Sequence, residues 1–282
     1  MTAAPRIRVQ RRPVHGVLLL DKPLGLSSNQ ALQKAKWLLR AEKAGHTGTL
    51  DPMATGVLPL CFGAATKFSA LQLDAPKRYE ALAVLGVTTS TGDAEGEVLS
   101  RTPVEAAMLA PERLAAVTRQ FIGCIAQVPP MHSALKKDGR ALYEYARAGV
   151  EVERAARRVE IFKLNMAVTQ DGQARPAIKM DVACSKGTYI RTLAEDIGKA
   201  LGCGAHLGAL RRTETGGIGL SRCIGLVELE ALSEAERLTH LLPTDALLAE
   251  HTRITLAPEE AGRFLSGLRR RGAWPDQPAV AV

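Results

Sequence analysis

The sequence predicts a mixed α+β fold, and three observations carry that expectation. Ile178, Met180, Val182 and Cys184 alternate with Lys179, Asp181 and Ala183, the period of a strand with one buried face. Ile190, Leu193, Ile197 and Leu201 recur at helical spacing, and Gly202 stands where that helix would end. Strands and helices intersperse along the chain without the regular alternation of a parallel α/β sheet.

The elements follow in order. Met1 to Pro13 is a basic, weakly ordered lead-in carrying Arg6, Arg8, Arg11 and Arg12. Gly16–Leu20 is a short buried strand, and Lys22-Pro23-Leu24-Gly25 is a turn by its Pro and Gly. Ser27, Ser28 and Asn29 offer capping oxygens to a helix with Leu32, Ala35, Leu38 and Leu39 on its apolar face. A Gly- and Thr-rich stretch without period, Gly45 to Pro52, precedes an apolar segment at Gly56–Gly63. Tyr79–Val87 is apolar enough for a strand buried on both faces, and Thr88–Glu97 is a loop. Pro111–Ile122 reads as a helix closed by Pro129-Pro130. Leu142, Tyr145 and Ala146 share a helical face that Gly149 ends, and Val159, Ile161 and Leu164 open another strand. After about His251 a new segment begins, so the division is a lead-in 1–15, a main domain 16–250 and a short segment 251–282.

A chain of 282 residues, 46% apolar and 23% charged, is suited to one large core. Lys and Arg number 37 against 29 acidic residues, a net charge of +8. That surplus suits a polyanionic partner, because cationic surface displaces counterions from phosphates. No apolar run approaches the ~20 residues that cross a bilayer. Val17–Leu20 stops at Asp21 and Lys22, too short for a signal-peptide core. The five cysteines are scattered, none in a CxxC pair, and no two histidines have ligand spacing. Neither a disulfide framework nor a metal site is expected, and a reducing cytoplasm is the expected location.

Three polar clusters interrupt the pattern. Asp51-Pro52 closes a Gly/Thr loop, where Pro restricts the residue before it. Cys184 to Thr192 lies at a strand–helix junction. Tyr189 and Arg191 share a face if the strand runs through them, and the guanidinium then meets a buried carboxylate and holds it ionised. Lys77-Arg78-Tyr79 sets two cations before a ring that can stack on an unpaired base. Taken singly, these also read as a turn, a surface ion pair and a core tyrosine. Lys136 to Arg158 adds a basic tract interleaved with Tyr143 and Tyr145.

Together the clusters resemble one family. Gly16 to Ser28 (GVLLLDKPLGLSS) and Gly45 to Pro59 (GHTGTLDPMATGVLP) are similar to the signature of the TruB pseudouridine synthases, which act on the TΨC loop of tRNA. Lys77-Arg78-Tyr79, Ser133 to Lys136, Leu142 to Arg147, Cys184 to Thr192, Leu201 to His206 and Leu210 to Arg212 match further blocks in order. The resemblance implies the pseudouridine-synthase fold, a mixed and mostly antiparallel sheet with flanking helices and a central cleft. It implies uridine isomerisation in the tRNA T stem-loop, by base flipping and without any cofactor or metal.

By the same resemblance Asp51 is the nucleophile, through either attack on C1′ or a glycal route. Arg191 pairs with Asp51, Tyr79 stacks on the uracil and handles the C5 proton, and Tyr189 lines the pocket. His46 enters the RNA stack, Lys22 positions RNA or supports the site, and Leu210 packs beside the pocket. Lys77, Arg78 and Lys136 complete the substrate-binding set. His132 stands where many relatives carry tyrosine and is given no role. Segment 251–282 resembles the opening of a PUA module, incomplete or reduced. A monomer is expected. The rival readings are a tRNA-binding or tRNA-folding protein with little catalysis, and a synthase for another RNA.

Overall fold

The computed structural model describes residues 10–248, 252–268 and 280–281. Strand β1 (Gly16–Lys22) and helix α1 (Ser28–Leu38) form where the apolar run and the serines place them. Ser27 is the cap. Its hydroxyl accepts from the Gln30 N–H while the Gln30 side chain accepts from the Ser27 N–H, so two otherwise orphaned donors are satisfied reciprocally. Then come β2 (Ala44–His46), β3 (Ala54–Phe62) and β4 (Lys77–Leu85). The chain continues through α2 (Pro111–Phe121), β5 (Gly123–Gln127), α3 (Leu142–Arg147), β6 (Arg157–Gln170) and β7 (Pro176–Cys184). Helix α4 (Ile190–Leu201), β8 (Ala205–Thr215) and β9 (Ile224–Gly225) complete the main body.

Among the described residues, ten strands join one sheet, with the order β9-β1-β3-β8-β4-β7-β6-β5 across it, β2 beside β3, and a two-residue strand, Ile218–Gly219, beside β8. Pairs along that order are antiparallel except β1 with β9 and β3 with β8. The mixed, mostly antiparallel sheet is therefore as the sequence led one to expect. Helices α1, α2 and α4 cover one face through Leu32, Ala35, Leu114, Val117, Leu193 and Ile197. Val17, Leu19, Val57 and Cys61 point to the other face, under Ala65, Ile218 and Leu247.

Several local expectations change. Strand β4 is buried on both faces only at its end; Arg78 and Glu80 are exposed while Tyr79 and Ala81 are buried. Strand β5 intervenes before Pro129-Pro130, so that pair does not close helix α2. Strand β7 does not run through Tyr189 and Arg191. It stops at Cys184, and Gly187 turns the chain at φ +77. Tyr189 is the N-cap of α4 and Arg191 lies in its first turn. Gly202, in the left-handed region at φ +95, ends α4 as expected.

The described part of the lead-in is tied down. The Arg12 N–H donates to Arg40 O at 2.8 Å and its guanidinium meets Glu234 at 2.9 Å. In the last segment Thr252–Arg253 pairs in parallel with Val280–Ala281, and Pro258–Leu265 is helical. The rest of the expected lead-in and of segment 251–282 lies outside the described residues.

Strand β8 passes very close to β3. Gly56 has φ +106, and a Cβ there would lie 2.1 Å from the Arg212 carbonyl oxygen. Gly56→Ala should therefore cost about 3 kcal/mol or more of stability, from overpacking and a strained φ together. Urea denaturation reads this as an earlier midpoint; an unchanged midpoint would mean that the two strands do not approach so closely in solution.

Candidate active site

Asp51 ends a loop that several distant groups hold rigid. The Ser28 hydroxyl accepts from the Leu50 N–H at 2.7 Å and donates to Leu50 O at 3.1 Å. The Gly25 N–H donates to Pro52 O at 2.9 Å, and the Thr47 N–H to Pro59 O at 3.1 Å. The Lys22 ammonium reaches Pro23 O at 2.9 Å, Leu26 O, and Pro52 O at 3.5 Å. Lys22 has no exposed surface, and burial pushes it down to about 8. Of the two expectations for it, positioning RNA or supporting the site, its bonds to the loop backbone favour support.

Arg191 is the hub. Its side chain is 5% exposed, and its Nη2 lies 3.0 Å from Asp51 Oδ2 while Nη1 lies 3.3 Å from Asp93 Oδ2. Nη1 also donates to Thr91 O at 3.2 Å and Nη2 to His132 O at 2.6 Å. One guanidinium thus joins two carboxylates and two carbonyls from separate segments. Position 132 contributes through its backbone carbonyl. Asp93 is itself anchored, since its Oδ1 accepts from the Thr91 hydroxyl at 2.6 Å and the Glu95 N–H at 3.1 Å. Its loop is pinned to β8: Leu207 N–H donates to Gly92 O and Ala94 N–H to Leu207 O.

The Asp51 side chain, 37% exposed, opens onto a cleft. Burial is the largest influence on its carboxyl and raises it above the ordinary carboxylate range; Arg191 draws it back, Asp93 raises it further and Lys22 lowers it. The Arg191 pairing exists, but its pull is outweighed. The cleft has a volume of about 530 Å³ and its walls include Asp51, Tyr79, Tyr189, Arg191, Leu210 and Arg212. Gln127 clamps Tyr189, accepting from its N–H at 3.1 Å and donating to its carbonyl at 3.3 Å.

The remaining expected residues are spread out. Lys77 edges the cleft, but its ammonium donates to Leu73 O at 2.7 Å and Ala75 O at 2.6 Å, and burial pushes it down to about 8. Arg78 is on the opposite, solvent-exposed side of β4, 3.7 Å from Glu214. Lys136 is exposed, one residue beyond the cleft residue Leu135. His46, five residues before Asp51 at the end of β2, is half-buried with an unbonded Nδ1, and burial favours its neutral form.

Residues 36–190 match the TruB family pseudouridylate synthase N-terminal domain, and residues 191–249 match the tRNA pseudouridylate synthase B C-terminal domain. The chain belongs to the TruB family. It is 74% identical over its whole length to the tRNA pseudouridine synthase B of Verminephrobacter eiseniae, covering 85% of that protein. Against the synthase of Ralstonia nicotianae it is 61% identical over 92% of this chain and 82% of the other. Among solved structures, one of a Cbf5-Nop10-Gar1 complex superposes with a TM-score of 0.65 at 29% identity. That match covers 85% of this chain and 63% of the other, so the chain spans less than two thirds of that neighbour. The family and fold read from the motifs are borne out. The boundary between the two matched TruB segments falls inside the site, between Ile190 and Arg191, and both segments contribute to one sheet.

Sequence reasoning missed two charged groups of this TruB-family site: Asp93, which pairs with Arg191, and Arg212, which lines the cleft. Asp93 lies in a stretch whose Thr and Gly content reads as loop, and only its pairing with a residue about a hundred positions later gives it meaning. Arg212 belongs to the matching block Leu210 to Arg212, which assigns it no role. Its neighbour Arg211 faces away, to Asp21 at 2.6 Å.

Arg191→Met leaves two carboxylates facing each other without the cation that joins them. Removing one side of a buried pair costs about 3–5 kcal/mol, which urea denaturation at neutral pH should register. Linkage fixes the sign: a carboxyl that titrates higher in the folded chain costs stability as pH rises through that range. The Arg191→Met penalty should therefore shrink toward acid pH. An equal loss at about pH 5 and about pH 7.5 would mean that Arg191 does not compensate the charge of Asp51.

Proposed function

We propose that this TruB-family isomerase converts a uridine in the TΨC loop of tRNA to pseudouridine, with Asp51 as the catalytic carboxylate. The observation that carries this reading is the Asp51–Arg191 contact of 3.0 Å at the mouth of a cleft walled by Tyr79, Tyr189 and Leu210. A volume of about 530 Å³ holds one nucleoside but not a stacked duplex, so in this reading the target base is extruded, at a cost of a few kcal/mol. His46, on the segment that leads to Asp51, is the group proposed to occupy the vacated place in the RNA stack.

The reaction exchanges an N1–C1′ bond for a C5–C1′ bond. The bonding pair leaves with N1, Asp51 meets the electron-poor sugar carbon, and the rotated base returns through C5. Arg191 holds the carboxylate in one orientation, which matters because misplacement by an ångström costs orders of magnitude in rate. Tyr79 stacks on the base and exchanges protons with it; Tyr189 and Leu210 confine the ring. Lys22 and Lys77, whose ammonium groups are spent on backbone carbonyls, support the walls. Arg78, Lys136 and the basic tract after it are the groups proposed to meet tRNA phosphates, positioning the RNA without reading its sequence.

Tritium release from a T stem-loop RNA carrying [5-³H]uridine tests the reading. Wild type should release tritium, and Asp51→Asn should release none while binding the RNA with near wild-type affinity. No release by either protein, with tight binding kept, would favour a tRNA-binding role. Affinity should also fall steeply with added salt, because each phosphate contact releases counterions; a flat response would remove the proposed phosphate contacts.

A further inference from the structure

Arg212 is the largest fully buried side chain among the described residues, 1% exposed at the floor of the cleft. Its Nε donates to Val57 O at 2.7 Å. A Cβ on Gly48 would lie 3.7 Å from its Nη1, so the guanidinium runs under the Asp51 loop. Nη2 is buried and makes no well-formed hydrogen bond. The carboxylates nearby are already engaged: Asp51 and Asp93 with Arg191, and Asp21 with Arg211. None pairs with Arg212 among the described residues. An uncompensated cation taken out of water is costly, and it becomes favourable when negative charge develops beside it.

The group placed to develop that charge is Tyr79. It is the cross-strand partner of Arg212 in the β4–β8 pair, so the two side chains share a face of the sheet, and both line the cleft. Resting on the Tyr79 role given above, we propose that Arg212 is a positioning residue for proton transfer at Tyr79. From the cleft floor it fixes the hydroxyl and compensates the phenolate formed during turnover. The electrostatics agree: burial pushes the Tyr79 phenol up, and the nearby charge of Arg212 draws it back.

The proton count shows why such a group is needed. Isomerisation moves one proton from C5 to N1. Tyr79 closes the count alone: its hydroxyl proton passes to N1, its oxygen takes the C5 proton, and the C5–H pair restores the C5=C6 double bond. Tyr79 ends as it began, and between the two transfers it is a phenolate. No oxidant, reductant or co-reactant enters.

The test compares Arg212→Met, Arg212→Lys, Tyr79→Phe and the Arg212→Met/Tyr79→Phe double variant on T stem-loop RNA with uridine or [5-²H]uridine. Arg212→Met should slow single turnover about 100-fold, the scale of one acid–base contribution, with RNA affinity unchanged and a primary deuterium isotope effect larger than in wild type. Arg212→Lys, which keeps a cation, should recover part of the rate. The double variant should be no slower than Tyr79→Phe alone. If Tyr79→Phe turns over like wild type, the Tyr79 role fails and the proposal with it. If Tyr79→Phe is slow but Arg212→Met is not, or if the two losses multiply, the Arg212 proposal alone is overturned. Equal loss of RNA affinity and melting temperature in the Met and Lys variants would make Arg212 a structural residue and equally overturn it.

Discussion

The cleft depends on one buried cation. The Arg191 guanidinium holds the loop before β3, the turn after β4, the backbone at His132 and its own helix α4 in fixed relation. A planar fork with five donors can do this where an ammonium cannot. Because Asp51 and Asp93 face the same cation, neither loop can shift without leaving a charge uncompensated. The cost of that loss, several kcal/mol, is comparable to the whole stability of an ordinary domain. The rigidity of the site is thus an electrostatic property, imposed on segments that are irregular by composition.

Strand β8 gives this cation its setting. Through Leu207 it anchors the Asp93 turn, through Leu210 it walls the cleft, and through Arg212 it underlies both Tyr79 and the Asp51 loop. The close approach at Gly56 lets β3 lie against β8, so the loop that ends at Asp51 is delivered beside the side chains of β8. Ser28 and Lys22 then fasten that loop from the other side, by binding its backbone rather than its side chains. Directed hydrogen bonds of this kind fix position without filling the cleft.

How much of this was legible in the sequence follows from what carries each feature. Helix α4 and its Gly202 stop were readable because an apolar stripe and a left-handed cap are local. Strand β7 was readable because one of its faces is polar. Strand β8 was not: register breaks between Leu207 and Ala209 and between Arg212 and Glu214 destroy its alternation, and its arginines look like surface. Asp51, Tyr79 and Arg191 were reached through motif resemblance, since a turn, a core ring and an ion pair were the local readings. Asp93 and Arg212 escaped because their meaning lies in partners far along the chain. Lys77 shows the reverse: a cation before a ring suggested a phosphate contact, but its ammonium turns inward to cap carbonyls, as does that of Lys22, for which the resemblance had left RNA positioning and support of the site both open.

The insertion of β8 between β3 and β4 has a consequence for the order in which the protein is made. Thr55 hydrogen-bonds the Leu210 carbonyl across 155 positions of chain. Both earlier strands are synthesised long before the strand that joins them, since β3 and β4 meet in the sheet only through β8. Asp51 and Tyr79 are then present without counter-cation or floor. Closing so long a loop adds little entropy cost, since that grows only with the logarithm of length, but it lengthens the search. Insertion of β8 is accordingly the step that joins the two parts of the sheet and brings the cleft residues of β4 and of the Asp51 loop together.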